Sequence, residues 1–215
     1  EICACLVGSE MCIRDRDIYE GEGLPGVPVG TVKKLRVFAY EYTYVNSESD
    51  HIAQGIQSGW DIKRNLGEVD VEPDGSAIFK IPANTPVSFQ PLDEEGRAIQ
   101  WMRSWVTGMP GEVVSCVGCH EDQNSVPMPK RVAASTKETS RLQTPEGGVR
   151  PFTFDLEVQP ILDRHCVACH NSDGAEPDFT GGIKVADAPS RRAESGRLDL
   201  SQSYLNLHPY VNLSL

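Results

Sequence analysis

Between Thr31 and Tyr44 (TVKKLRVFAYEYTY) the chain alternates, with Leu35, Val37 and Ala39 on one side and Arg36, Phe38 and Tyr40 on the other. A period of two, rich in β-branched and aromatic residues, predicts a long strand with one face toward a core. Two shorter runs, Glu68–Val71 and Ala77–Ile81, flank Glu72-Pro73-Asp74-Gly75-Ser76, where Asp-Gly suits a tight turn, and together they predict a hairpin. Pro82 and Pro86 precede Val87-Ser88-Phe89, and Asp93-Glu94-Glu95-Gly96 turns the chain ahead of Ala98-Ile99-Gln100-Trp101-Met102. Short strands with turns about every ten residues predict a β-sandwich.

The pattern then changes. Glu121 to Arg150 holds prolines, serines and mixed charge without a period, so residues 126–151 read as a linker, either a solvated tether or a strap wrapped on its neighbour. From Val158 the spacing is helical: Pro160 suits a first turn, and Val158, Ile161, Leu162 and Cys166 share a face that Cys169 and His170 continue. Asn171 to Gly182 reads as loop, and Ser201 as the cap of a short helix over Ser203–His208 that Pro209 stops.

Chemistry is concentrated in two identical signatures, Cys116-Val117-Gly118-Cys119-His120 and Cys166-Val167-Ala168-Cys169-His170. CxxCH is the spacing of covalent haem attachment: each thiol adds to one porphyrin vinyl group, and the adjoining imidazole falls beneath the iron. The expectation is two covalently bound haem c groups, held by Cys116, Cys119, Cys166 and Cys169, with His120 and His170 as axial ligands. Zinc bound by two CxxC knuckles is the alternative. It is disfavoured because a histidine follows both pairs, and because the stretch from Cys119 to Cys166 far exceeds the roughly 15 to 20 residues joining the halves of a zinc ribbon.

The sixth ligand decides between an electron relay and an open, reactive iron. For the second haem the distal candidates are His208, a residue supplied from the first domain, or one beyond Leu215, with a surface role as the plain alternative for His208. Met102, Met109, Met128, His51 and His165 are candidates for the first. His165, next to Cys166, suits a propionate or solvent contact better. Glu121 and Asp122 are read as a solvated acidic pair, or as proton carriers beside the first haem. The stripe Trp101, Met102, Trp105 and Val106 packs either within the sandwich or on porphyrin.

A net charge of −11 over 215 residues excludes a basic footprint for nucleic acid and would repel an anionic membrane surface. No apolar run approaches the length of a transmembrane helix. Residues 1–16 (EICACLVGSEMCIRDR) have neither the period of an element nor the composition of a signal peptide. They resemble translated adapter sequence of the kind found at the ends of proteins predicted from environmental DNA, and are set aside from the fold as a non-native start. Removing Cys3, Cys5 and Cys12 from the seven cysteines leaves the four of the motifs. Because haem c is attached outside the bacterial cytoplasm, the expected setting is periplasmic or exported.

The stretch from Gly67-Glu68-Val69 to Trp105, through Pro110–Ser115 into CVGCHE, resembles the middle domain of the hydrazine synthase alpha-subunit family. Glu157–His165 followed by CVACH resembles that family's C-terminal cytochrome c module. The resemblance implies a mainly β sandwich domain over 17–125 carrying one c-type haem, and a small, truncated α-helical cytochrome c-like domain over 152–215. It also implies an upstream β-propeller or other subunits outside this stretch. In hydrazine-forming members a tyrosine shortly after the first motif is an axial ligand and the motif histidine lies near zinc. Here Glu121–Ser125 follow His120, and the next tyrosine is Tyr204, so only Cys116, Cys119, His120, Cys166, Cys169 and His170 carry over. The function expected is dihaem electron transfer to redox partner proteins within an exported oxidoreductase complex. The rivals are a catalytic haem enzyme acting on small nitrogen species, and a structural haem or zinc module.

Overall fold

The structure, a computed structural model, describes residues 9–41, 62–102, 104–119, 124, 128–187 and 197–210. The chain forms two compact units, Glu1–Tyr40 with Arg64–Arg150, and Glu41–Lys63 with Pro151–Leu215.

Unit 1 is built from two sheets around one core. Strands β1 (Glu10–Asp15), β4 (Ala77–Pro82), β6 (Val113–Cys116) and β7 (Ser140–Arg141) form the first, in the order β6-β1-β4-β7. Strands β2 (Lys34–Glu41), β3 (Ile62–Asp70) and β5 (Val87–Leu92) form the second, in the order β3-β2-β5. The alternation read from the sequence holds where β2 is described: Leu35, Val37 and Ala39 are buried, and meet Met11 and Ile13 of β1, Phe79 and Ile81 of β4, Val69 of β3 and Val87 of β5 in one cluster. Phe79 and Phe89, from opposite sheets, pack edge to face with centroids 5.8 Å apart. Each of the large side chains sealed in this layer stabilises by about 1.5–3 kcal/mol relative to exposure.

In unit 1, three sequence expectations meet a different outcome. Residues 1–16, set aside from the fold, supply β1, which has neighbours on both edges: antiparallel β4 (Glu10↔Pro82 through Asp15↔Ala77) and parallel β6 (Cys12↔Val113 through Asp15↔Cys116). Met11, Cys12 and Ile13 are buried there. Cys12 is disulfide-bonded, while Cys116, Cys119, Cys166 and Cys169 are not in disulfides; Cys3 and Cys5 lie outside the described residues. The segment carries no long period because a six-residue strand with four buried positions has none to show.

The turn at Glu72–Ser76 forms as predicted, with Ser76 N and Oγ donating to Asp74 Oδ1 at 3.1 and 2.6 Å and Gly75 N to the Glu72 carbonyl at 2.8 Å. Yet it closes no hairpin. It carries the chain from β3 in the second sheet to β4 in the first, because β1 has taken the β4 edge and β3 pairs with β2. The run Ala98–Met102 forms no named strand; it makes a bridge to Leu92 and bonds from Ile99 N to the Pro91 carbonyl and from Met102 N to the Phe89 carbonyl. Val106 packs against the core, whereas Trp101 and Trp105 are partly exposed, Trp105 beside Tyr40 at 5.9 Å.

Of the two readings left open for the linker, its described part takes the strap. Arg16 Nη2 donates to the Met128 carbonyl at 2.9 Å, and Lys130 pairs with Asp17 at 2.5 Å. Ala133 N donates to Asp74 Oδ2 at 2.7 Å, Lys137 pairs with Glu72 at 2.6 Å and Arg141 with Glu10 at 2.9 Å. Val132 and Ala134 are buried, and β7 runs parallel to β4.

Unit 2 has a single π turn at Phe154–Val158, capped by Thr153 Oγ1, leading into α1 (Gln159–His165), with Pro160 in its first turn and Leu162 buried. Strands β8 (Ile183–Asp187) and β9 (Arg197–Ser201) pair antiparallel, and α2 (Gln202–Leu207) is capped by Ser201 Oγ, which accepts from Tyr204 N at 3.2 Å. The cap was expected; the strand pair was not. The predicted small helical domain therefore holds, among the described residues, two short helices and a two-stranded sheet. The predicted haem-binding helix also stops at His165, so Cys166 to His170 continue as turns. No helix among the described residues is long and apolar enough to cross a membrane.

On the second sheet, Glu68 of β3 takes Arg36 at 2.7 Å and Lys34 at 3.3 Å from β2, and Arg36 reaches Gln90 of β5 at 3.4 Å. Desolvation pushes the Glu68 carboxyl up, but the bonds and charges of Arg36 and Lys34 outweigh it and hold the group below its ordinary 4.5. A depressed carboxylate stabilises the fold above its unfolded pKa and loses that contribution as pH falls through the folded value. Glu68→Gln is expected to lower unit 1 stability at pH 7 by about 1 kcal/mol in urea unfolding, and the gap to wild type is expected to close below pH 4.5.

Candidate functional site

The first motif begins where β6 ends. Cys116 stands opposite Asp15 in the parallel register, and Arg16 N donates to the Cys116 carbonyl at 3.1 Å. The next residues turn inward along 15–23: Gly118 N donates to Asp15 Oδ1 at 3.2 Å, Cys119 N to the Ile18 carbonyl at 3.4 Å, and Gly23 N to the Cys119 carbonyl at 2.8 Å. Asp15 is buried and also takes Asp17 N at 3.1 Å. Gly118 has φ +82°, and a Cβ there would collide with the Glu20 carbonyl, so the sharp turn needs glycine at this x position. A Cβ on Gly23 would lie 2.5 Å from Cys119 Cβ.

Cys119 packs against the unit 1 core. Burial, reinforced by the nearby Asp15 and Cys116 charges, pushes its thiol from 9.0 up to about 12. It is a neutral thiol at every physiological pH. His120, Glu121 and Asp122 lie outside the described residues, as does His51. Of the methionines proposed as ligands, Met109 and Met128 are exposed, the latter with its carbonyl held by Arg16.

The second motif is more open than the described part of the first. At the end of α1 the chain wraps into successive turns: Cys166 N donates to the Leu162 carbonyl at 2.8 Å, Cys169 N to the Cys166 carbonyl at 3.1 Å, and His170 N to the same carbonyl at 2.8 Å. Cys166 is half-buried and Cys169 exposed. His170 Nδ1 lies 3.2 Å from the Pro177 carbonyl, and its ring faces Phe179 with centroids 5.3 Å apart. A carbonyl oxygen only accepts, so this contact is a hydrogen bond only with the proton on Nδ1. Nε2 is then the lone-pair nitrogen. That tautomer, fixed by a backbone acceptor on the far side of the ring, is what a metal-ligating imidazole requires. Two thiols three positions apart, one exposed and one half-buried, beside such an imidazole fit a covalently held haem.

His208 follows α2 with its ring tilted 55° to that of Tyr204, centroids 6.4 Å apart, and Tyr204 in turn packs on Phe154. His165 is exposed at the end of α1. Among the described residues no group of three or more His, Cys, Asp or Glu side chains is placed to hold a metal ion. Sequence reading did not find the Pro177 carbonyl or Asp15. The first is a backbone atom in a loop and leaves no residue-type signal, and the second sits in the stretch set aside.

Residues 30–121 match the family described as hydrazine synthase alpha subunit middle domain, a range that runs from just before β2 through the first motif. Among solved structures the chain is similar to hydrazine synthase of Kuenenia stuttgartiensis, with a TM-score of 0.68 and 19% identity, over 93% of this chain and 34% of that one. The fold is thus shared with about a third of a longer chain. No curated protein matches this chain in sequence.

In chain produced without haem, iodoacetamide is expected to label Cys169 first and Cys119 last, as read by peptide mass spectrometry. A raised thiol pKa stabilises the native state fully below 9.0, and that contribution is lost as pH climbs from there to about 12. The thermal midpoint of unit 1 is accordingly expected to fall across that range, and less steeply in Cys119→Ala.

Proposed function

We propose that this chain carries two haem c groups, one on Cys116 and Cys119 with His120, the other on Cys166 and Cys169 with His170, and serves electron transfer in an exported oxidoreductase complex. The observation that carries the reading is the His170 imidazole, pinned through Nδ1 to the Pro177 carbonyl beside two free thiols. Bound haem supplies a one-electron iron couple. This chain's residues would do the rest at the second centre: Cys166 and Cys169 would anchor it, and the Pro177 carbonyl, by holding the Nδ1 proton, would leave Nε2 as the ligating nitrogen. At the first centre the Cys119 thiol is packed inside the loop, so attachment precedes closure of residues 15–23 over it. The negative charge of the chain suits a basic redox partner.

A second reading is favoured by the match of residues 30–121: the first centre is catalytic and acts on small nitrogen species, as part of a larger assembly of the hydrazine synthase type. The two differ in whether an iron position is open.

Matured in a host competent for cytochrome c, the chain is expected to show two haems by pyridine haemochrome. One should be lost in the Cys166→Ala, Cys169→Ala double variant, the other in Cys116→Ala, Cys119→Ala. Zinc without iron in metal analysis would overturn the proposal. Carbon monoxide should leave the ferrous Soret band in place for a relay, and a shift that disappears with the first motif's cysteines selects the catalytic reading.

A further inference from the structure

The Pro177 carbonyl that orients His170 sits in the loop between the motif and β8, with no strand or helix ladder to hold it. Inside the loop, Ala175 N donates to the Cys169 carbonyl at 2.8 Å and Phe179 N to the His170 carbonyl at 3.0 Å. From outside it, two side-chain amides take the two carbonyls that follow Pro177. Asn206 Nδ2 of α2 donates to the Asp178 carbonyl at 2.7 Å, and Gln159 Nε2 of α1 to the Phe179 carbonyl at 3.1 Å. Each amide is itself oriented. Gln202 Nε2 donates to Asn206 Oδ1 at 2.8 Å, Gln159 Nε2 also reaches Asp163 Oδ1 at 2.8 Å, and the Ser203 hydroxyl donates to Gln159 Oε1. Ser203 is fully buried, a costly place for a hydroxyl without such a partner. Flipping either amide would set oxygen against oxygen, so donor and acceptor ends are assigned by the chemistry.

We infer that Gln159 and Asn206, with Ser203 behind Gln159, are positioning residues that clamp backbone 177–179 and thereby keep the Pro177 carbonyl on His170 Nδ1. The redox consequence rests on the haem reading of the second motif; the clamp itself does not. The bond is 3.2 Å long, so a carbonyl displaced by about 0.5 Å leaves hydrogen-bond range. An imidazole that donates from Nδ1 is a stronger electron donor at Nε2 and favours ferric iron. Loosening the clamp weakens that donation and raises the potential of the second haem.

The test uses the full chain matured with haem, comparing Asn206→Ala, Gln159→Met and the milder Ser203→Ala with wild type. Spectroelectrochemical titration should show the second-haem potential shifted upward in the first two and by less, in the same direction, in Ser203→Ala. Nitrogen-15 NMR of the ferrous protein should show faster exchange of the His170 Nδ1 proton. Thr180→Val, which removes a loop hydroxyl from Asp178 but leaves both amide clamps, should move neither readout. Haem-loaded variants with unchanged potential and exchange, or an equal shift in Thr180→Val, would overturn the clamp while leaving the haem reading intact. If no haem is attached at Cys166 and Cys169, ring nitrogen shifts still report the His170 tautomer. A Nδ1–H form in wild type that moves toward Nε2–H in the variants would then uphold the clamp and sink the haem reading.

Discussion

Pairing of β1 with β6 is the contact on which unit 1 and its motif depend. β1 lies between two partners, antiparallel to β4 and parallel to β6, so removing it would leave two strand edges bare and open the core at Met11 and Ile13. The same strand ends at Asp15, whose carboxylate holds the Gly118 amide and whose register partner is Cys116. Sheet, core and cysteine loop are therefore joined at one strand end.

Two copies of one five-residue signature sit on different local frames. The first grows out of a strand and dives under the backbone of residues 17–23, where sulfur behaves as an apolar core atom. The second grows out of a helix end and stays at the surface, where its order comes from the imidazole and its backbone acceptor. Spacing within the motif is shared, whereas what flanks it differs.

What the sequence made legible was local. The alternation of Leu35, Val37 and Ala39, the Asp-Gly turn and the Ser201 cap each depend on neighbours a few residues away, and each formed as read. The choice of partner did not show. Ala77–Ile81 has the pattern of a strand whichever strand it joins, and only β1, far away in sequence, makes it leave β3. The strap over residues 128–143 likewise looks like a tether because its anchors, Lys130, Lys137 and Arg141, are ordinary surface residues until Asp17, Glu72 and Glu10 are found opposite them. Both CxxCH motifs were plain in the sequence, but the carbonyl behind His170 belongs to the backbone and has no letter.

The parallel β1–β6 pair joins segments far apart in the unit's sequence, with more than half of unit 1 lying between them. Contacts of that range form slowly, because a long loop must be closed before any of their free energy is gained. Until they form, the sulfur of Cys119 is uncovered. The topology thus places the cover over Cys119 among the slow-forming contacts, behind the local turns that need no distant partner.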